Sequence, residues 1–105
     1  MVKYSQDNLS QLFRALADPT RRSLVEELGR AGQPVAVAEL ARPYQISLTA
    51  VIKHLAYLDT VGLVKRTKLG RTTYVEPVKE AYQEINWWLA EQLHFWKDHK
   101  SNADS

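Results

Sequence analysis

The chain has 105 residues, of which 45% are hydrophobic and 25% charged, and its formal net charge is +2. This length allows one small domain with a single core, and no apolar run approaches the roughly 20 residues that cross a bilayer. Because cysteine is absent and the amino-terminal segment lacks a secretory pattern, we expect a cytoplasmic protein without disulfides, thiolate metal sites or a membrane partner.

The first part of the chain is predicted to be helical. An apolar stripe at three- and four-residue spacing predicts a first helix over residues 7–17. Asp18 and Pro19 suit the start of a second helix, because Asp accepts hydrogen bonds from free amides and Pro has no amide hydrogen. That helix should end between Gly29 and Gly32, since Gly often follows a helical run. The stripe of the first helix consists of Leu9, Leu12, Phe13 and Leu16.

Two further helices are predicted in the centre of the chain. After an extended or turn segment at residues 34–36, a short helix covers residues 37–41 and stops before Pro43. Ser47 then suits the N-cap of a longer helix that reaches Thr60. The inward side of this longer helix comprises Val51, Leu55 and Leu58.

The apolar period changes to two after this helix. Residues 63–67 and 72–76 are predicted to be strands around a turn at residues 68–71. A last helix, rich in aromatic residues, is predicted over residues 78–97, and residues 98–105 are expected to be a frayed tail.

This order of elements predicts one winged helix-turn-helix domain over residues 1–105. The fold class is mainly α with a small β-hairpin, with five helices and a two-stranded wing. Residues 47–75 carry five basic side chains against Asp59 alone, whereas residues 76–105 carry three basic and six acidic ones. Positive charge concentrated in the longer central helix and the wing points to a polyanionic partner.

Three stretches in this order resemble the ArsR-type winged helix-turn-helix transcriptional repressors. They are ALADPTRRSLVEEL, VAELARPYQISLTAVIKHLAYLDTVGLVKR and GRTTYV, and the resemblance covers residues 9–97. The variety that it matches is free of cysteine and has Trp-Leu and then Phe-Trp in the last helix. The resemblance implies a homodimer that represses transcription from a palindromic double-stranded operator. It also implies release by an effector, for which an unidentified small molecule is one possibility.

The outward side of the longer central helix supplies candidate DNA contacts, although a solvated face is the alternative. Hydroxyls and a lysine there suit base edges and phosphates, and two aliphatic side chains suit thymine methyl groups. Ile52 departs from the family pattern, in which Ser is common, so no polar contact is expected from it. His54 could instead pack or cap locally. The candidates are Ser47, Leu48, Thr49, Ile52, Lys53 and His54.

The wing supplies four further candidates, all of them basic. Cations near phosphates add affinity with little sequence discrimination, and Arg71 at the tip suits a narrow minor groove. The alternative is a basic strand that guards against aggregation. Arg21 and Arg22, near the second helix start, could contact phosphate or pair with neighbouring carboxylates. The wing candidates are Lys65, Arg66, Lys68 and Arg71.

The first and last helices are the expected dimer interface. The last helix holds more aromatic side chains than one small core readily absorbs, which favours self-association. A ligand cavity between the subunits is the competing interpretation. The candidate interface residues are Leu9, Leu12, Phe13, Tyr82, Ile85, Trp88, Leu89, Leu93 and Trp96.

Two other functions remain as alternatives. Glu91, His94 and Asp98 could share a helix face and act in a metal-responsive repressor, although such residues are common on solvated helices. The cysteine metal site of the family is absent, and we predict no metal and no cofactor. The other alternative is a protein-interaction module that docks a partner through exposed aromatic side chains. An enzyme is not expected, because no catalytic constellation appears.

Overall fold

The computed structural model describes the backbone of residues 5–104 and the side chains of residues 5–97. The elements are α1 (Gln6–Leu16), α2 (Pro19–Ala31), β1 (Val35–Ala36), α3 (Val37–Ala41), α4 (Leu48–Thr60), β2 (Val64–Leu69), β3 (Thr72–Pro77) and α5 (Lys79–Asp104). The predicted winged helix-turn-helix with five helices is confirmed. Within it, α3 and α4 form the helix-turn-helix, and β2 and β3 form the wing.

The two strands of the wing belong to a sheet of three strands, whose third strand the sequence did not predict. The strand order is β1-β3-β2, and both pairs are antiparallel. Val35 pairs with Val75, and Ala36 pairs with Tyr74. Two residues are too short for an alternating pattern to identify a strand, which is why the sequence indicated only an extended or turn segment there.

Side-chain caps define where two of the helices begin, as predicted. The Asp18 carboxylate accepts a hydrogen bond of 2.9 Å from the Arg21 amide at the start of α2. The Ser47 hydroxyl oxygen accepts one of 3.1 Å from the Ala50 amide at the start of α4. These bonds satisfy amides that have no partner within the helix.

Replacing Asp18 with alanine should lower the free energy of unfolding by about 1 kcal/mol at neutral pH, because the cap is lost. The Arg21 amide, followed by the Arg21 and His54 charges, holds the pKa of Asp18 below its ordinary value of 3.8. A lowered folded-state pKa contributes stability above pH 3.8 that disappears as pH falls through the folded pKa. Urea titrations of both proteins along a pH series measure this difference.

Asp18→Asn is the matched control for that experiment. Asparagine keeps the capping acceptor but does not ionise, so most of the cap energy should remain without the acid-dependent component. Equal stability of Asp18→Ala and the unsubstituted protein at neutral pH would contradict the assigned cap.

The core lies where α1, α2 and α4 meet the sheet. It includes side chains from all five helices and from β2 and β3, and the described part of the chain buries no charged side chain. The core residues are Leu12, Ala15, Leu24, Leu28, Val37, Leu40, Val51, Leu55, Leu58, Leu63, Val64, Val75 and Ala81.

Burial of the α1 stripe corrects part of the predicted dimer interface. Leu9 and Leu12 are buried within the protomer, because α1 packs its apolar side against the chain's own α2 and α5. Phe13 is more exposed and meets Trp88 edge-on, with 5.4 Å between the ring centroids. Leu9 and Leu12 therefore have almost no surface left for a partner.

Two predicted interface residues of α5 also pack on the protomer's own core. Tyr82 and Ile85 are half-buried against it. The Tyr82 hydroxyl donates a 3.1 Å hydrogen bond to the Leu63 carbonyl, and burial raises the pKa of Tyr82 to about 12. Only part of each side chain could contact a second subunit.

Arg21 and Arg22 close the C-terminus of α1. The Arg21 Nε donates to the Ala15 carbonyl at 2.7 Å, and its guanidinium lies 4.3 Å from the centroid of the Tyr57 ring. A guanidinium nitrogen of Arg22 donates to the Leu16 carbonyl at 2.7 Å. Both guanidinium groups thus donate to carbonyls that lack partners in the helix.

The C-terminal half of α5 extends away from the core. The molecule is 61 Å along its longest axis, and Leu89, Leu93 and Trp96 are exposed on this half of the helix. The helix continues to Asp104, beyond the predicted end at Lys97. The predicted frayed tail stays a prediction, because the side chains of residues 98–105 lie outside the described ones.

In the part of the chain that the structure describes, none of the helices combines the length and the apolar character that a bilayer crossing requires.

Candidate nucleic-acid interface

The N-terminal half of α4 presents the predicted contact side chains to solvent. Its inward side is fixed by Val51, Leu55 and Leu58, which are fully buried. Residues one or two positions from these three point in other directions around the helix. Their side chains therefore lie outside the core. The exposed side chains are Ser47, Leu48, Thr49, Ile52 and Lys53.

His54 is the exception among the predicted contacts on α4. It is half-buried, and its Nδ1 lies 4.0 Å from the Asp18 carboxylate at the start of α2. The imidazole therefore faces a carboxylate at the start of another helix of its own chain.

The wing presents its four predicted basic side chains, but one of them has a partner in α4. Lys65, Lys68 and Arg71 are exposed. The Arg66 Nε donates to the Asp59 carboxylate at 2.8 Å. Such a partly exposed pair adds little stability, but it ties the wing to α4. The Nε of Arg66 is thus engaged by a carboxylate of the same chain, although the residue itself is exposed.

A two-residue turn places Arg71 at the tip of the wing. Leu69 pairs with Thr72, which leaves Gly70 and Arg71 between the strands. Gly70 has a φ of 64°, a left-handed conformation that favours glycine, while Arg71 has an ordinary negative φ. This combination is typical of hairpin turns that need glycine at their first central position.

A groove of about 290 Å³ separates α4 from the wing. Leu48 and Ile52 line one wall, Arg66 and Arg71 line the other, and buried Leu55 contributes to its floor. Residues far apart in sequence thus form one surface that is apolar on one side and cationic on the other.

Several residues on this surface were missed by the sequence analysis. Thr72 and Thr73 of β3 line the groove, and Val37 and Ala38 of α3 line it as well. Thr73 lies two positions before buried Val75, so the alternation along β3 is a signal that could have placed it on the inner face of the strand. The contribution of α3 depends on how the helices pack, which no local pattern specifies.

The metal-responsive alternative receives no support from the described side chains. Among residues 5–97, no group of three His, Cys, Asp or Glu side chains is close enough to hold a metal ion. The side chain of Asp98, one of the three candidate ligands, lies outside that range.

Comparisons with known proteins identify the class of this fold. The helix-turn-helix domain family matches residues 16–67. The chain is 50% identical over 52 residues to the HTH-type transcriptional regulator Rv2034 of Mycobacterium tuberculosis, covering 50% of this chain and 47% of that protein. It is 38% identical over 81 residues to a transcriptional repressor SmtB homolog of Synechocystis sp., covering 73% of this chain and 60% of that protein. The matches therefore span less than two thirds of either relative.

Solved structures with the same architecture identify the family to which this chain belongs. The ArsR family transcriptional regulator RHA00566 superposes with a TM-score of 0.81 at 36% identity, covering 90% of this chain and 95% of that one. The homodimeric winged helix-turn-helix DNA-binding domain Mb0332 of Mycobacterium bovis, at 22% identity and a TM-score of 0.65, shares the fold. The chain belongs to the ArsR family, whose members are transcriptional regulators and not enzymes. The resemblance found in the sequence is confirmed.

Proposed function

We propose that this protein is a cytoplasmic homodimeric repressor that binds a palindromic operator in double-stranded DNA. The observation that carries the proposal is the single surface formed by the exposed half of α4 and the basic wing. A major groove admits an α-helix, and a cationic hairpin beside it fits the adjacent phosphates. Occupation of the operator would exclude the transcription machinery sterically.

The two parts of this surface have different tasks. Thr49 and Lys53 project from α4, where they reach base edges in the major groove. Lys65, Lys68 and Arg71 on the wing bind phosphates and the flanking minor groove, which supplies affinity with little dependence on sequence. Specificity therefore resides mainly in the helix, and salt-dependent affinity mainly in the wing.

The exposed side of α5 supports the homodimer. Leu89, Leu93 and Trp96 recur at four- and three-residue spacing and form an apolar stripe that the protomer leaves uncovered. A symmetric pairing of two such helices would bury it and place two recognition helices about one turn of DNA apart. The homodimeric domain from Mycobacterium bovis has this fold.

A gel-shift experiment tests DNA binding directly. The purified protein should retard a fragment of its own promoter at moderate salt in the presence of competitor DNA. Retention of a partner protein without any retardation of DNA would favour the protein-interaction module instead.

Alanine substitutions should separate the two parts of the surface. Thr49→Ala and Lys53→Ala should each weaken operator binding by about 1–3 kcal/mol and relax its sequence preference, because base contacts are lost. Arg71→Ala should weaken binding to all sequences and reduce the slope of log affinity against log salt by about one. Titrations of operator and unrelated DNA at several salt concentrations measure both effects.

Lys79→Ala is the charge control, since Lys79 is exposed at the start of α5, which follows the end of β3 opposite the tip of the wing. It should change neither the specificity nor the salt slope appreciably. Unchanged operator affinity in all three interface variants would remove the assignment of this surface to DNA.

A further inference from the structure

Two large aliphatic side chains are exposed on the recognition helix α4 with no role in the core. Leu48 is 50% exposed and Ile52 is 43% exposed, whereas Val51, Leu55 and Leu58 are all fully buried. The helix is therefore already anchored by three apolar residues on its inward side. Exposed aliphatic surface contributes no folding free energy until another molecule covers it.

These two side chains lie on one face and in a charged setting. They are four residues apart, which places them on neighbouring turns of the helix, and both line the wall of the groove opposite Arg66 and Arg71. Lys53 is exposed beside Ile52 on the same helix. A partner that covers Leu48 and Ile52 must therefore have apolar groups next to negatively charged groups.

A second copy of the chain fits this surface poorly. Two such grooves would oppose arginine with arginine, at an unfavourable electrostatic energy. The apolar stripe on α5, formed by Leu89, Leu93 and Trp96, offers a separate surface for self-association. The charge pattern of the groove thus favours a polyanion.

In duplex DNA, the apolar group at a base edge in the major groove is the C5-methyl group of thymine, and phosphates lie close by. We propose that Leu48 and Ile52 read thymine methyl groups, so that each half-site of the operator carries thymines opposite the start of α4. This inference rests on the proposed function and specifies which bases that surface recognises. Four helical residues rise about 6 Å, which corresponds to thymines one or two base pairs apart.

The test replaces thymine with uracil, which lacks only the methyl group. Bound fragments are first selected from sheared genomic DNA, and the recovered operator is synthesised with uracil at one thymine position at a time. At the thymines that face Leu48 or Ile52, the dissociation constant of the unsubstituted protein should rise about three- to tenfold. Other thymine positions should give no change.

Substitutions then assign the effect to the two side chains. Leu48→Ala and Ile52→Ala should bind the thymine operator more weakly, and each should lose discrimination between thymine and uracil at its own position, as a double-mutant cycle requires. Lys53→Ala is the matched control from the same helix: it should weaken both operators and keep their ratio. Circular dichroism and urea unfolding verify that the variants are folded.

Three outcomes would overturn the inference. Equal affinity of the unsubstituted protein for thymine and uracil operators at every position would refute methyl recognition while leaving the proposed function intact. Discrimination that persists in both Leu48→Ala and Ile52→Ala would place the methyl contact on another residue. Failure to retain any genomic fragment would count against the proposed function itself.

Discussion

Replacing both Leu93 and Trp96 with glutamate should convert the proposed dimer into folded monomers and lower affinity for the proposed palindromic operator by about 10²–10⁴-fold. These side chains are 69% and 66% exposed in the protomer, so the substitutions remove little of its own packing. In a symmetric interface each new carboxylate would lie close to the partner's copy, and the apolar stripe could not be buried. Sedimentation equilibrium measures the association, and titration with full and half operators measures the lost bivalency.

The matched control adds the same charge to the same helix outside the apolar stripe. Gln83 and Ala90 are exposed on α5, and replacing both with glutamate should leave the dimer and operator binding nearly unchanged. A monomer that binds the full operator as tightly as the unsubstituted protein would refute the bivalent arrangement.

Replacing Leu55 with alanine should lower the free energy of unfolding by about 2–5 kcal/mol. Leu55 is fully buried where α4 meets the rest of the core, and its loss would leave a cavity bordered by the groove. Urea unfolding followed by circular dichroism measures the change. Protein concentration must be held constant, because the proposed dimerisation would contribute to the apparent stability.

Leu48→Ala is the matched control, because it makes the same substitution on the same helix at a less buried position. The difference between the two variants therefore measures the effect of burial. Leu48 begins the same helix but is half-exposed, so its truncation should change the free energy of unfolding by no more than about 0.5 kcal/mol. Similar losses in the two variants would mean that α4 is rotated relative to the orientation described. Comparison of the two variants distinguishes residues that anchor the recognition helix in the core from residues that are exposed on its outer face.

Most element boundaries were predictable because their signals are local. Asp18, Pro19 and Ser47 sit at helix starts in the structure as the capping rules required, and α3 has the predicted bounds. Gly70 allowed the wing turn to be located because a left-handed residue is needed there. Caps and turns depend on a few adjacent residues, so the chain specifies them without knowledge of its fold.

The candidate site was predictable in composition but not in arrangement. The periodicity of α4 correctly separated outward Thr49 and Lys53 from inward Leu55. It could not reveal that Asp59 holds Arg66 or that Asp18 faces His54, since each pair joins different elements. A basic side chain near a predicted interface can be engaged by a carboxylate that only packing brings close.

Neighbouring residues are enough to specify the order of the helices, their caps, the wing turn and the concentration of positive charge in residues 47–75. Three features depend on how the elements pack: β1 pairs with the wing strand β3, Leu9 and Leu12 lie inside the protomer, and α4 and the wing enclose one groove. Packing adds this information because an apolar stripe specifies only which side of an element is buried. It does not specify whether the covering surface comes from the same chain or from another molecule.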